Sequence, residues 1–136
     1  MLYNYNARVL RCVDADTLDV QISLGLDVYV NERVRLLGVN CPETFGVRKD
    51  SDEYRDGIET KKWLISQLQP EWGDTLVDLV AKGKAIFDGG NLPEVRIRTH
   101  KDAKGKYGRY LAEVFVGDDT ESINTKLIHM GFGAEY

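Results

Sequence analysis

An α+β fold, mainly β, built as a five-stranded Greek-key barrel of the OB type with two or three helices, is what this sequence predicts. Three observations carry the prediction. A strictly alternating apolar segment lies within a run of three short-turned strands near the N-terminus. One amphipathic helix pattern follows them, and two later strand-like segments lead into a short capped helix. At 136 residues there is room for one domain, expected to span 1–136, while two independent cores would be cramped.

The elements follow in order. From Thr17 to Leu24, the residues Leu18, Val20, Ile22 and Leu24 fall on one face and Thr17, Asp19, Gln21 and Ser23 on the other. That period of two marks a half-buried strand. Ala7–Val13 reads as the strand before it, joined by the turn Asp14-Ala15-Asp16. Gly25-Leu26-Asp27 is a second turn signal and Val28–Val39 a third, longer strand, completing a meander. Pro42 ends it, and Phe45–Asp50 is a polar loop. Asp50 with Glu53 three residues later has capping-box spacing. A helix then runs to about Leu68, with Tyr54, Ile58, Ile65 and Leu68 toward one side, and Pro70 and Gly73 stop it. Asp74–Pro93 is least decisive: Thr75–Ala81 is open to a strand, and Asp88-Gly89-Gly90-Asn91 is a loop. Val95–Thr99 and Tyr110–Val116 are strands flanking a Lys/Gly-rich turn. Ser122 caps a short helix carrying Ile123, Leu127 and Met130, which Gly131 closes. A meander completed by later strands closes into a barrel, which removes exposed edges.

Composition narrows the classes. With 43% hydrophobic and 29% charged residues, the chain is an ordinary globular one. Its net charge of -4 alone argues against a polyanion partner. The charge is uneven, however: residues 95–110 hold six Lys/Arg against Asp102, a local +5, leaving −9 elsewhere. No apolar run approaches the ~20 residues of a membrane span, so no membrane partner is expected. Met1–Asn6 has neither the basic start nor the apolar stretch of a signal peptide, so a cytoplasmic location is expected, with export left open. One bridge between Cys12 and Cys41 is open, but free thiols are the preferred reading. Cys12, Cys41, His100 and His129 include no close ligand pair, which argues against zinc.

Three clusters carry polar residues that a core would not request. Asp14-Ala15-Asp16-Thr17 places two carboxylates at a strand-to-strand turn; taken alone, this is ordinary turn chemistry. Arg35 sits inside the apolar run Val34–Val39, where a charge needs a carboxylate, a solvent cleft or a phosphate. Glu43, after Pro42, lies close in sequence to the strand end carrying Asn40. Lys104–Tyr110 is a basic, glycine-flanked turn with aromatics. Jointly, these are the inventory of phosphodiester cleavage. A glutamate positions or deprotonates water. Arginine forks and a hard cation stabilise the charge that builds on the non-bridging oxygens. Oxygen ligands favour Ca²⁺ or Mg²⁺ over zinc.

The stretches Asp14–Thr17, Arg35-Leu36-Leu37-Gly38-Val39-Asn40-Cys41-Pro42-Glu43-Thr44 and Lys106-Tyr107-Gly108-Arg109-Tyr110-Leu111-Ala112 resemble, in order and spacing, the signatures of the staphylococcal nuclease (thermonuclease) family. Ile123–Ile128 and Gly131–Tyr136 are similar to its C-terminal helix and tail. The likeness runs from about Ala7 onward, apart from an expected insertion over 69–93. It implies an OB-type barrel and a Ca²⁺-dependent endonuclease acting on DNA and RNA, single strands preferred, leaving 3′-phosphate ends. By the same resemblance, Asp16, Asn40 and the Cys41 carbonyl hold the metal, Arg35 and Arg109 bind the phosphate, and Glu43 is the general base. Lys106 and Tyr107 grip a neighbouring phosphate, and Tyr136 lines the nucleotide pocket.

Two departures stand out. Asn40 replaces the family's second aspartate ligand and removes a negative charge, which admits Mg²⁺ or another divalent cation. Cys41 lends only its main chain. A monomer is expected. The alternatives are a non-catalytic OB-type module that binds single strands through charge and Tyr107, Tyr110 and Tyr136, and a protein-interaction domain using Trp72 and 74–93. A binding module has no need of Asp16 and Glu43.

Overall fold

In the computed structural model, which describes residues 3–87, 92–101 and 110–136, strand β1 (Tyr3–Asp14) pairs antiparallel with β2 (Thr17–Ser23), and β2 with β3 (Tyr29–Leu36). Two later strands, β5 (Glu94–Lys101) and β6 (Tyr110–Phe115), pair antiparallel with each other. β5 returns to β1, and β6 lies parallel to β3. The barrel is therefore closed in the order β1-β2-β3-β6-β5. A pair of two-residue strands, β4 (Val39–Asn40) and β7 (Ala134–Glu135), forms a separate small sheet.

The alternation read in β2 is its burial pattern: Leu18, Val20 and Ile22 point inward. Leu24 does not join them and is 48% exposed. The strand ends at Ser23, where Gly25, Leu26 and Asp27 all adopt left-handed backbone. The barrel core is filled by Val9, Leu18, Val20, Val34, Leu36, Ile97, Ala112 and Val114.

The third strand is shorter than expected. It breaks after Leu36 because Gly38 takes a φ of 77°, and β4 resumes for two residues. Helix α1 (Asp52–Leu68) is capped not from Asp50 but one residue later: the Ser51 hydroxyl accepts from the Tyr54 amide at 3.1 Å. Asp52 and Glu53 then face the positive helix end.

Residues 74–81 form a helix, α2 (Asp74–Ala81), rather than a strand. Its branched residues suggested extended chain, but Val77, Val80 and Ala81 are buried together at helical spacing against α1. Two helices, not one, therefore follow the N-terminal strands. Helix α3 (Ile123–His129) is capped by Ser122 as expected, and Gly131 beyond it has a φ of 78°. Trp72 stacks on Phe87 and Trp63 tilts against Phe132, each pair at 5.5 Å between centroids. Both tryptophans thus have local aromatic partners, rather than forming an open contact face. Cys12 and Cys41 are free and buried. No helix among the described residues is long and apolar enough to cross a membrane.

Candidate active site

The β1–β2 turn puts both of its carboxylates to work on a single distant segment. Asp16 Oδ2 accepts the Cys41 amide at 2.8 Å. Asp14 Oδ1 accepts the Thr44 amide and the Thr44 hydroxyl, both at 2.7 Å. Residues 41–44 are thereby clamped at both ends, and Glu43 lies inside the clamp. Both aspartates are buried, at 8% and 5% exposure. Asp14 therefore positions the glutamate segment, while Asp16 Oδ1 has, among the described residues, only the neighbouring Thr17 hydroxyl as a donor, at 3.1 Å. A register shift between Cys12 and Asp14 lets residues two apart serve different partners.

A second restraint comes from behind. α1 passes so close to this segment that a Cβ on Gly57 would lie 2.9 Å from the Glu43 carbonyl oxygen and 2.6 Å from Thr44 Cγ2. Only glycine allows that approach. Glu43 itself is exposed, and its carboxylate has no hydrogen bond or ion pair with any described residue.

Arg35 occupies the outward face of β3 between the core residues Val34 and Leu36. Its guanidinium donates to the Val39 carbonyl at 3.2 Å and to Asn40 Oδ1 at 3.0 Å. It also stands 3.8 Å from Asp16 Oδ2, with side chains 15% and 7% exposed. The Tyr136 ring covers it, 4.9 Å from the guanidinium carbon, an arrangement in which a π face meets a cation. Tyr136 is fixed by its amide donating to the Gly38 carbonyl at 3.0 Å and by the β4–β7 pair. Gly133 packs so closely that a Cβ there would lie 2.5 Å from Val39 Cγ2.

Of the residues singled out from the sequence, Asn40 and Tyr136 meet Arg35, Arg35 adjoins Asp16 and Asp16 holds Cys41, while Glu43 is two residues further along the chain. Lys106, Tyr107 and Arg109 lie outside the described residues. Arg96 and Arg98, part of the basic window, face the outer side of β5 and β6. Arg96 donates to the Gly117 and Asp119 carbonyls, Arg98 to Asn4, and both lie near the Phe115 ring.

Burial, and next the charge of Asp16, push the Cys41 thiol up to about 12, so at neutral pH it is an uncharged wall. The donor set suggested for a metal is one carboxylate, one amide oxygen and one main-chain carbonyl. In kind these hard oxygens fit a hard cation. No group of three or more His, Cys, Asp or Glu side chains converges among the described residues. Asn40 Oδ1 accepts from Arg35, so a cation held there would share that oxygen with the guanidinium or displace it.

Sequence reasoning missed Asn124, Gly57 and the positioning role of Asp14. Asn124 is buried and ties three elements: Nδ2 donates to the Leu37 and Ala112 carbonyls, both at 2.9 Å, and Oδ1 accepts from the Val114 amide at 3.0 Å. A lone asparagine beside Ile123 at a helix start, and a glycine in mid-helix, were the available signals.

Comparison with known proteins gives the family of the chain. The profile of the family described as staphylococcal nuclease homologue matches residues 33–136. A thermonuclease of Staphylococcus intermedius is 32% identical over 125 residues, covering 90% of this chain and 55% of that protein. An uncharacterized protein of Methanocaldococcus jannaschii is 27% identical over 144 residues, covering 98% of this chain and 60% of that protein. The chain thus spans little more than half the length of these relatives.

Proposed function

The chain belongs to the staphylococcal nuclease family, and on that premise we propose that it is a nuclease that hydrolyses phosphodiester bonds of DNA and RNA. The observation that carries the proposal is the clamp: two buried aspartates fix residues 41–44, which hold an exposed Glu43 with no bond to any described residue, and one of the two, Asp16, also adjoins Arg35. A free carboxylate held on a rigid segment is suited to orient and deprotonate a water. Arg35 offers a fork of donors to the non-bridging oxygens of the phosphate, where negative charge grows as the water attacks. Reaching that phosphate means exchanging the Asn40 oxygen for a phosphate oxygen, a neutral partner for a charged one.

Asp16, Asn40 and the Cys41 carbonyl would hold a divalent cation, Ca²⁺ by the chemistry of the donors. Such an ion would neutralise phosphate charge and lower the pKa of bound water. Asp16 supplies the only negative side chain of that set, so affinity should be modest and selectivity between Ca²⁺ and Mg²⁺ weak. In this reading Arg109 is the second arginine, Lys106 and Tyr107 bind the adjoining phosphate, and Tyr136 offers a stacking face next to Arg35. Single strands are preferred because a base must leave its stack to meet that ring. The expected products carry 3′-phosphates, and the expected active form is a monomer.

The test is cleavage of single-stranded DNA and of RNA by wild type beside Glu43→Gln, with EDTA and with added Ca²⁺ or Mg²⁺. Removing a general base typically costs 10²–10⁴-fold, so Glu43→Gln should lose at least about 100-fold in kcat while melting at the wild-type temperature. EDTA should abolish cleavage and a divalent ion restore it. Equal activity of wild type and variant, or no cleavage with either ion, overturns the proposal.

A further inference from the structure

One turn along α1 from Gly57, the barrel wall and the two helices border a half-open cavity of ≈ 530 Å³. Its lining is largely apolar and includes Leu10 and Cys12 from β1, Val80 from α2, and Phe87 and Leu92 beyond it. Into this wall the sequence places Lys61 of α1, which is only 7% exposed. No described residue gives Lys61 a hydrogen bond or an ion pair. Yet no fully covered side-chain nitrogen or oxygen among the described residues lacks a partner. Its ammonium is therefore not fully covered, and the residue lines this cavity.

A lysine so placed is unusual, because burying an unpaired ammonium is costly and lysine stems normally carry the charge out to water. Arg11, exposed on β1, adds a second cation to the same lining, which contains no carboxylate. We propose that this cavity is a binding site for a small amphipathic monoanion, a carboxylate with an apolar body, whose head pairs with Lys61 and whose body lies against Val80, Phe87 and Leu92.

The charge count selects the class. Lys61 is the buried cation of the lining, Arg11 being exposed to solvent, so one negative charge is matched inside, whereas a phosphomonoester dianion would leave net charge against the apolar wall. The volume falls in the range of small-molecule sites, which pair apolar walls with a few placed polar groups. Desolvation lowers the Lys61 pKa, while Cys12 and the Asp14 carboxylate favour the ammonium and the Arg11 charge opposes it; a bound anion would offset the desolvation. The Cys12 thiol, pushed up to about 12 by burial, stays neutral and adds only an apolar surface.

The site carries its own reporter. Trp72 stacks on Phe87, so filling the cavity should change tryptophan fluorescence. Titration with decanoate, with decanol as the neutral comparison, is the direct experiment, run on wild type, Lys61→Met and Lys61→Arg. A charged hydrogen bond in an apolar site is worth about a tenfold change in affinity or more. Wild type and Lys61→Arg should therefore bind decanoate at least about tenfold tighter than decanol, and Lys61→Met should lose that preference while still binding decanol. Lys61→Met should melt no lower than wild type, since it removes a desolvated charge without shortening the side chain, and this separates lost recognition from lost folding. Equal affinity of wild type for decanoate and decanol, no binding of either, or unchanged decanoate affinity in Lys61→Met overturns the proposal. None of these readouts depends on nuclease activity.

Discussion

Asp14 shows how much a single oxygen can organise. Its Oδ1 receives an amide and a hydroxyl from Thr44, and the Phe45 amide lies 3.4 Å away. Replacing Asp14 by Ala would take the acceptor from the half-buried Thr44 amide and leave the hydroxyl the Val13 carbonyl at 3.3 Å, at about 1–3 kcal/mol. Asp14→Ala should therefore lower the unfolding free energy by that order in urea titrations. It should also reduce kcat of the proposed reaction, because the glutamate segment loses one end of its clamp. Thr44→Val, which removes only the hydroxyl, should show a smaller effect in both measurements. At this scale the sequence was legible in part. Two aspartates at a strand turn were visible, and so was an arginine in an apolar strand that had to find a partner. Which aspartate would serve backbone and which would stand beside the arginine was not, because a local register shift decides it. Local sequence carries no record of a partner 30 residues away.

Among the elements, α1 is both a wall and a spacer. Alanine at an interior helix position is normally favoured over glycine by about 1 kcal/mol. At residue 57 the sign should reverse, since the added Cβ would meet backbone oxygens of Pro42 and Glu43 at 3.0 and 2.9 Å. Overpacking of this kind costs about 1–3 kcal/mol. Gly57→Ala should thus lower the melting temperature despite its better helix propensity, and should displace Glu43 enough to reduce kcat at unchanged fold by circular dichroism. Element types were readable where one periodicity dominated, as in β2 and α1. They failed at 74–81, where Leu76, Val77, Leu79, Val80 and Ala81 make a nearly continuous apolar run in which period alone does not separate a strand from a helix buried on one side. The break between β3 and β4 was likewise hidden, because Gly38 reads as a permissive strand residue until its backbone is seen to turn left-handed.

Across the whole molecule, the barrel is closed by two long-range pairings, β1 with β5 and β3 with β6. Asn124 sits where the second closure meets α3, holding Leu37, Ala112 and Val114 together. Asn124→Ala would leave the Leu37 carbonyl and the Val114 amide without this partner, the Ala112 carbonyl keeping the Leu37 amide, so a loss of about 2 kcal/mol in urea denaturation is expected, with loosening of Arg35 visible as weaker substrate binding. Asn124→Asp should be little better, since an ionised carboxylate cannot donate to the two carbonyls. The fold class was recoverable from the sequence because meander, turn signals and closing strands each have a local signature. The meaning of the basic window was not: Arg96 and Arg98 are turned to the outer face, which only the register of β5 determines.

The parallel pairing of β3 with β6 has a consequence for how such a protein is made. The strand bearing Arg35 is synthesised early, whereas β6, Asn124 and the tail that carries Tyr136 come some 75–100 residues later along the chain. A ribosome must therefore have released nearly all of residues 33–136 before the Arg35 cluster can exist. The proposed activity on RNA would thus be absent while the message encoding the chain is still being read, and would arise only once the residues that close the barrel have emerged.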